Sequence, residues 1–383
     1  MFDSSRTDKS SGVLVRIALA VMIAAIVLAY GMVHPAEAAG SSASKQTKIE
    51  KRAKKILKKM TLRQKVGQIL FVGAKGNDAA NMKKFQYGGY LYHENNLNNN
   101  TKAAFRKRVK KVQKAAKIDA FIGADEEGGE FAAISSHKLF RKTPFKSPRE
   151  LYRLGGYKRI VSDAKVKCNF LKDLGFNTNF APVVDVPYGS NNYMWNRSFS
   201  SNHKYVSKYA KKVLAVMNKK KIVNSVKHFP GYGASGNTHT EVMVDNRSLS
   251  TLKKRDLKPF VTGIKSGCSM IMVSHNIVNC FDSSKPASIS KAVHNYIRKD
   301  MGYDGIIISD SITMKGVTGF AKDSNALAVK TFNAGNDIVC AGSDRGYFKG
   351  MLAAAKSGKI TKKRLNASVL RILKVKIQMG IIK

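Results

Sequence analysis

The residues best suited to chemistry sit in a few short clusters. Lys227-His228-Phe229-Pro230-Gly231-Tyr232-Gly233 sets a cation and an imidazole beside a tight turn, and Asn237-Thr238-His239 adds a second imidazole a few residues on. The cluster follows an apolar run, Ile222 to Val226, that reads as a buried strand ending in a Gly/Pro loop. An α/β barrel keeps its chemistry at that place. Asp310 follows Ile306-Ile307-Ile308 in the same way, so its carboxylate is held by a rigid strand end, as a nucleophile must be. Taken singly, a His is more often a satisfied structural residue, and a strand-end acid a helix cap or ion-pair partner. Agreement among several strand ends points instead to a site.

The elements that must position these residues follow a regular rhythm. Short apolar runs recur at Gln68–Val72, Gly89–Tyr92, Ala120–Ala124, Thr178–Val184, Ile222–Val226, Ser269–Val273, Gly305–Ser309 and Asp337–Cys340. Amphipathic stretches lie between most of them: Lys102–Lys117, Arg159–Leu174, Tyr205–Lys220, Thr251–Lys265, Lys291–Met301 and Ser324–Ala334, with Arg364–Ile377 at the end. Eight strands alternating with helices predict an α/β fold, a (β/α)8 TIM-like barrel forming a single catalytic domain over 48–383. An open doubly wound sheet would use the same alternation, but no GxGxxG follows the first strand and no linker separates two lobes. In a barrel the residues after the strands converge on one mouth, and here they are polar: His93-Glu94-Asn95-Asn96, Asp125-Glu126-Glu127-Gly128-Gly129, Asp185 with Arg197 further on, Lys227-His228, Ser274-His275 and Ser309-Asp310-Ser311.

The chain has 383 residues, 43% of them hydrophobic, enough for a large core. Residues 1–38 read as a secretory signal, with a polar start, an apolar run from Ile17 to Val33 and small residues at Ala36-Glu37-Ala38-Ala39. Residues 39–47 read as a linker. Contact with a membrane is expected only if the apolar segment stays uncleaved as an anchor. The net charge of +43 is spread along the chain, with no aromatic-interleaved patch or nucleic-acid motif. For a secreted or envelope-associated protein it implies adhesion to anionic cell-envelope polymers, with nucleic acid excluded as the partner. Cys168, Cys268, Cys280 and Cys340 lack metal-ligand spacing, so no metal is expected; their pairing stays open.

Lys227-His228-Phe229-Pro230-Gly231 resembles the signature of glycoside hydrolase family 3, in particular its β-N-acetylglucosaminidase branch. The segment Gly302-Tyr303-Asp304-Gly305-Ile306-Ile307-Ile308-Ser309-Asp310-Ser311-Ile312-Thr313-Met314 is similar to that family's nucleophile segment. Met60-Thr61-Leu62 through Val66-Gly67-Gln68-Ile69-Leu70 is similar to its opening, and Asp125-Glu126-Glu127-Gly128-Gly129 to its substrate-clamping loop. Asn179 to Val186 with Asn196-Arg197-Ser198-Phe199, then Pro286-Ala287-Ser288 and Ala334-Gly335-Asn336-Asp337, also fit. The resemblance covers nearly all of the chain after the N-terminal segment.

The resemblance implies retaining hydrolysis by double displacement, without metal or cofactor. It makes Asp310 the nucleophile and His239, on the loop after strand five, the acid/base. Asp125, Arg197, Lys227 and His228 match the residues that grip the hydroxyls of a terminal N-acetylglucosamine. The implied substrate is an N-acetylglucosamine-containing glycan, from peptidoglycan fragments or related amino sugars. Two departures stand out. Asn237 replaces an Asp; its carbonyl can still accept the imidazole N–H, but it brings no charge to stabilise the imidazolium, and Glu241 is the candidate substitute. Glu130-Phe131-Ala132-Ala133 replaces basic residues after the clamping loop. The competing readings are a β-glucosidase or xylosidase of the same family, and a wall-binding protein that keeps the barrel without turnover.

Overall fold

Eight short strands, most of them apolar, form the centre of the protein: β1 (Leu70–Gly73), β2 (Gly89–Leu91), β3 (Phe121–Ala124), β4 (Thr178–Asn179), β5 (Val223–Phe229), β6 (Met270–Val273), β7 (Ile306–Ser309) and β8 (Val339–Ala341). The computed structural model describes residues 44–97, 100–233, 235–342 and 346–382. The stretch read as a signal, 1–38, and most of the linker at 39–47 lie outside them. Of the two compact units, Met1–Arg52 and Ala53–Lys383, the first is described from residue 44 onward, where it is helical.

Neighbouring strands are parallel throughout, in the order β7-β6-β5-β4-β3-β2-β1-β8. A parallel bridge between Ile308 and Ile338, with Ser309 N donating to the Ile338 carbonyl at 3.2 Å, draws the two ends together into the expected (β/α)8 barrel. Apart from Gly73 every strand residue is buried. Strands covered on both faces read as continuous apolar runs rather than alternations.

The barrel interior is filled by aromatic side chains. The Phe71 ring meets Phe180 edge-on at 5.0 Å and stacks on Phe121 at 6.3 Å. Gly89 and Gly123 make room for it: a Cβ on Gly89 would lie 2.6 Å from the Phe71 ring, and one on Gly123 2.8 Å from it. Below, Lys376 is fully buried, donating to Gln68 Oε1 at 2.7 Å and to the Gly88 carbonyl at 3.1 Å. Asp337, just before β8, ties the floor to the last helix (Lys362–Gln378): Arg298 pairs with its Oδ2, and Ser368 Oγ donates to its Oδ1 at 2.6 Å.

Several expected boundaries shift for local reasons. β4 is ladder-paired only at Thr178–Asn179, because Pro182 has no N–H; pairing resumes as a bridge between Val183 and Lys227. The stretch expected as Arg159–Leu174 extends back to Pro148 across a kink at Gly155 and Gly156. Thr251–Lys265 is two helices, Leu249–Lys254 and Leu257–Lys265, broken where buried Asp256 pairs with Arg247 at 2.8 Å. Thr61 caps its helix in a reciprocal capping box with Gln64. All four cysteines are free thiols, three of them buried. Among the described residues no helix is long and apolar enough to cross a membrane.

Candidate active site

The carboxyl ends of the strands open into a pocket of about 800 Å³ whose lining includes Asp125, Arg197, Lys227, His228, His239 and Asp310. Six of the seven residues singled out in the sequence therefore meet in one place. The seventh, Asn237, lies behind His239 and bonds to it.

Lys227 projects from β5 and is buried. Its ammonium pairs with Asp125 Oδ1 and, at 2.7 Å, with Glu127 Oε1. Arg197 closes on the same Glu127 with two bonds, Nη2 to Oε1 at 2.7 Å and Nε to Oε2 at 3.1 Å. Burial alone pushes the Glu127 carboxyl up, but the Arg197 and Lys227 cations hold it down at about 2. Burial likewise opposes the charge of Lys227, and Asp125 and Glu127 restore it above its ordinary value. Glu127, Lys227 and Arg197 are thus held in their charged forms, each against an opposite charge.

His228 is held by Asp185, which is buried. Asp185 Oδ2 accepts from His228 Nδ1 at 2.8 Å and from its backbone N at 3.0 Å, while Oδ1 accepts from Tyr232 N at 2.8 Å. With the proton on Nδ1, His228 Nε2 is the acceptor that Arg197 Nη2 approaches at 3.4 Å.

Asp310 follows β7 directly. Its N donates to the Val273 carbonyl at 2.9 Å, and its Oδ1 accepts from Ser311 N at 2.7 Å. Burial pushes this carboxyl up, but the His228 and His275 imidazoles, the Ser311 N–H and His239 outweigh it and hold the group below its ordinary value. It is therefore ionised at neutral pH. His275 props the same turn: Nε2 donates to the Ser311 carbonyl at 2.9 Å, and Ser288 Oγ donates to Nδ1 at 2.7 Å. Burial lowers the pKa of His275, which stays neutral.

His239 is exposed at the pocket rim. Its Nδ1 donates to Asn237 Oδ1 at 2.8 Å and its backbone N to the same oxygen at 3.0 Å, so Nε2 keeps a lone pair. The Tyr193 hydroxyl stands 3.4 Å from Nδ1 and accepts from Arg197 Nη1 at 3.4 Å. Burial, opposed by Asp310, leaves the imidazole below its ordinary pKa. Although His239 is exposed, the adjacent Thr238 is buried, with Oγ1 at 2.5 Å from the Tyr232 hydroxyl and its carbonyl accepting from Gly316 N at 2.9 Å. The loop is thereby moored to both the β5 and β7 ends. Glu241 is exposed and outside the pocket lining, so Asn237 is the partner of the imidazole.

Tyr193 was not named from the sequence, and Glu127, Asp185 and His275 were named only among the polar strand ends, with no role given to them. Glu127 was legible in principle: in an extended Asp125-Glu126-Glu127 the first and third side chains share a face. Glu126 turns away, accepting from Ile134 N, Ser135 N and Ser135 Oγ. In the segment that departs from the family pattern, Phe131 lies under Arg197 at 4.0 Å, and Glu130 Oε1 accepts from Asn196 Nδ2 at 2.7 Å. Among the described residues no group of three His, Cys, Asp or Glu side chains is arranged to hold a metal ion.

Comparison with known proteins identifies the family. Residues 61–375 match the family described as Glycosyl hydrolase family 3 N terminal domain. Beta-hexosaminidase A of Pseudoalteromonas piscicida is 29% identical over 328 residues, 78% of this chain and 54% of the relative. The beta-hexosaminidase of Neisseria meningitidis serogroup C (strain 053442) is 30% identical over 259 residues, 66% of this chain and 70% of the relative. The solved family 3 beta-N-acetylglucosaminidase of Paenibacillus sp. str. FPU-7 superposes with a TM-score of 0.78 at 26% identity, covering 84% of this chain and 63% of that one. The chain thus spans about half the length of the Pseudoalteromonas relative and under two thirds of the Paenibacillus one.

Proposed function

The chain belongs to glycosyl hydrolase family 3, and from that membership we propose that it is a β-N-acetylhexosaminidase acting on terminal β-linked N-acetylglucosamine. One observation carries the reading. An ionised carboxylate on a strand end and an imidazole with a free Nε2 line the same pocket as a paired set of sugar-gripping charges.

In the proposed reaction Asp310 attacks the anomeric carbon as the glycosidic C–O bond breaks, and protonated His239 gives its Nε2 proton to the departing oxygen. The neutral imidazole then takes a proton from water, which attacks the glycosyl ester and releases Asp310. Asn237 keeps the Nδ1 proton in place through both steps. Asp125, Lys227, Arg197 and His228 present donors and acceptors to the sugar hydroxyls, their charges balanced through Glu127 and Asp185. The natural substrates in this proposal are peptidoglycan fragments or related amino sugars at the cell envelope. The excess positive charge would keep the secreted enzyme there, against anionic polymers.

The test is hydrolysis of an aryl β-N-acetylglucosaminide. Asp310→Ala should abolish turnover, and His239→Ala should accumulate a glycosyl-enzyme that a mechanism-based fluorosugar traps at Asp310. Full activity in Asp310→Ala would remove the assignment. Binding of muropeptides without turnover in the wild type would favour the wall-binding alternative.

A further inference from the structure

The loop that carries His239 leaves the barrel at Gly231 and returns at Asp245, in a short strand Val244–Asp245 that pairs in parallel with Ile277–Val278. One side chain holds both ends. Arg247 Nη2 donates to the Gly231 carbonyl at 2.8 Å, and the same guanidinium makes a two-bond fork with Asp245, Nε to Oδ1 at 2.8 Å and Nη2 to Oδ2 at 2.5 Å. Asp245 Oδ1 also accepts from the Arg247 backbone N at 3.0 Å, which closes the turn at the loop's exit. Arg247 Nη1 stands 2.8 Å from Asp256 Oδ1, and Asp256 is fully buried between the helices Leu249–Lys254 and Leu257–Lys265. The second of these helices packs on β5, with Phe260 edge-on to Phe229 at 5.2 Å. The guanidinium is therefore anchored to the barrel wall.

The loop's entry is shaped around this group. Gly231 sits at φ +110°, where a Cβ would lie 3.2 Å from Asp256 Cβ. Gly233, at φ +54°, packs directly against the guanidinium: a Cβ there would come within 2.1 Å of Arg247 Nη1. Between the two glycines Tyr232 gives its N–H to Asp185, the residue that orients His228. A planar cation with donors in fixed directions can hold a carbonyl and two carboxylates at once, whereas a lysine ammonium has no such span. Further along the loop His239 is held by Asn237, a member of the same loop. That bond sets the tautomer of the ring; the place of the loop over the pocket is set by Thr238 and by the two ends.

We propose that Arg247 is a positioning residue for the acid/base: by tying Gly231 to Asp245 it fixes the base of the loop, and with it the reach of His239 Nε2 to the departing oxygen. The inference rests on the hydrolase reading, in which His239 is the acid/base. Arg247 is not among the residues lining the catalytic pocket, so it acts through His239 and not on the sugar. Its loss weakens proton delivery and leaves the grip of Asp125, Lys227 and Arg197 in place. A residue needed only for folding would weaken every step alike.

The experiment measures kcat/KM of wild type, Arg247→Gln, Arg247→Lys and Gly233→Ala on two aryl β-N-acetylglucosaminides, one with phenol and one with dinitrophenol as the leaving group. Phenol needs a proton to depart and dinitrophenol does not. On the phenyl substrate Arg247→Gln should lose about tenfold to a hundredfold, with Arg247→Lys in between. Gly233→Ala keeps every charge but pushes the loop off the guanidinium, so it should show the same loss; it carries the test if removing Arg247 beside two buried carboxylates unfolds the protein. On the dinitrophenyl substrate kcat/KM should hold within about threefold, while kcat and KM fall together because the same imidazole must activate water for the glycosyl-enzyme. On the phenyl substrate the double variant Arg247→Gln/His239→Ala should be no slower than His239→Ala alone. Amide hydrogen exchange across 237–243 should be faster in Arg247→Gln and Gly233→Ala than in wild type, with 203–219 unchanged. Equal losses on both substrates at an unchanged melting temperature, a further loss in the double variant, or unchanged exchange in the loop would overturn the assignment and leave the hydrolase reading standing. If the wild type cleaves neither substrate the hydrolase reading falls instead, and the exchange comparison still decides whether Arg247 holds the loop.

Discussion

Replacing Asn237 by Asp is the most direct probe of the proposed chemistry. Asn237 Oδ1 lies 2.8 Å from His239 Nδ1, so an aspartate in the same rotamer would place a negative charge about 4 Å from the centre of the imidazolium. At an effective dielectric of about 20 that is an attraction of roughly 4 kcal/mol, an upper bound that solvent at this exposed rim reduces. A rise of about one to two pKa units is the reasonable outcome. The other groups facing the imidazole, Asp310, Arg197, His228, Asp125 and Tyr193, are unchanged in the variant. The wild-type imidazole titrates below its ordinary value, so at neutral pH little of it carries the proton that the leaving group needs. Wild-type kcat/KM should therefore peak on the acid side. Asn237→Asp should raise it by about tenfold near pH 7, between the old and new pKa values. The assay is the pH profile of kcat/KM with a poor phenol leaving group, repeated with dinitrophenol, which departs without protonation. The gain should vanish for dinitrophenol. An unshifted profile, or an equal gain with both leaving groups, would refute the assignment of His239 as the acid and of residue 237 as its partner.

Tyr193→Phe removes a hydroxyl that touches both His239 and Arg197, each at 3.4 Å; kcat/KM should fall only about threefold, with a shift in the acid limb of its pH profile. Glu127→Gln leaves Lys227 and Arg197 buried with one shared counter-charge removed, and should cost about 3–5 kcal/mol in denaturant melts as well as raising KM. Glu127 also sets an acid limit. Its folded pKa of about 2 lies below the ordinary value of 4.5, so its stabilisation is complete above pH 4.5 and is lost as pH falls towards 2, a loss of about 3 kcal/mol that Glu127→Gln should lack. Lys376 acts in the opposite sense at the barrel floor. Burial lowers it from 10.5 to about 7, so the unfolded chain binds the extra proton between those values and stability rises with pH. Wild type should gain about 2 kcal/mol from pH 7 to 9 relative to Lys376→Met, read by thermal melts; parallel curves would show that the lysine is solvated.

The barrel was legible because its strands are buried on both faces, which leaves short apolar runs punctuated by polar strand ends. Some helices were not, among them Asp78–Phe85, which is short and Lys-rich, and Tyr347–Lys356, which ends in a run of small apolar residues that shows no clear polar face in the sequence. The site was legible in the residues that face the pocket, whose types already imply chemistry. Asp185 and His275 stood out only as polar strand ends, and their roles were harder to assign because they act through others. Asp185 fixes the tautomer of His228 and His275 fixes the turn that carries Asp310, roles that depend on bonds across 43 and 36 positions of sequence. Spacing along the chain carries no record of such contacts. Tyr193 is a further case, since its loop gives no periodicity and its two partners come from different strand ends.

The distribution of charge explains how so basic a chain keeps an acid chemistry at its centre. With 25 acids against 68 bases, a random placement would leave most of the interior cations uncompensated. Instead Glu127, Asp185, Asp245, Asp256 and Asp337 are buried, each tied to Arg, Lys or His, while most of the lysines lie on the outer helices. A surface charge more than about 10 Å away is screened at ordinary ionic strength, whereas a buried cation needs its carboxylate within contact distance. The outside is therefore free to become strongly basic without moving the titration of Asp310, which answers to His228, His275 and the Ser311 N–H beside it. The proposed adhesion to a polyanion and the proposed cleavage of a glycoside can thus be tuned separately in one barrel, the first by salt and surface lysines, the second only by the few residues at the strand ends.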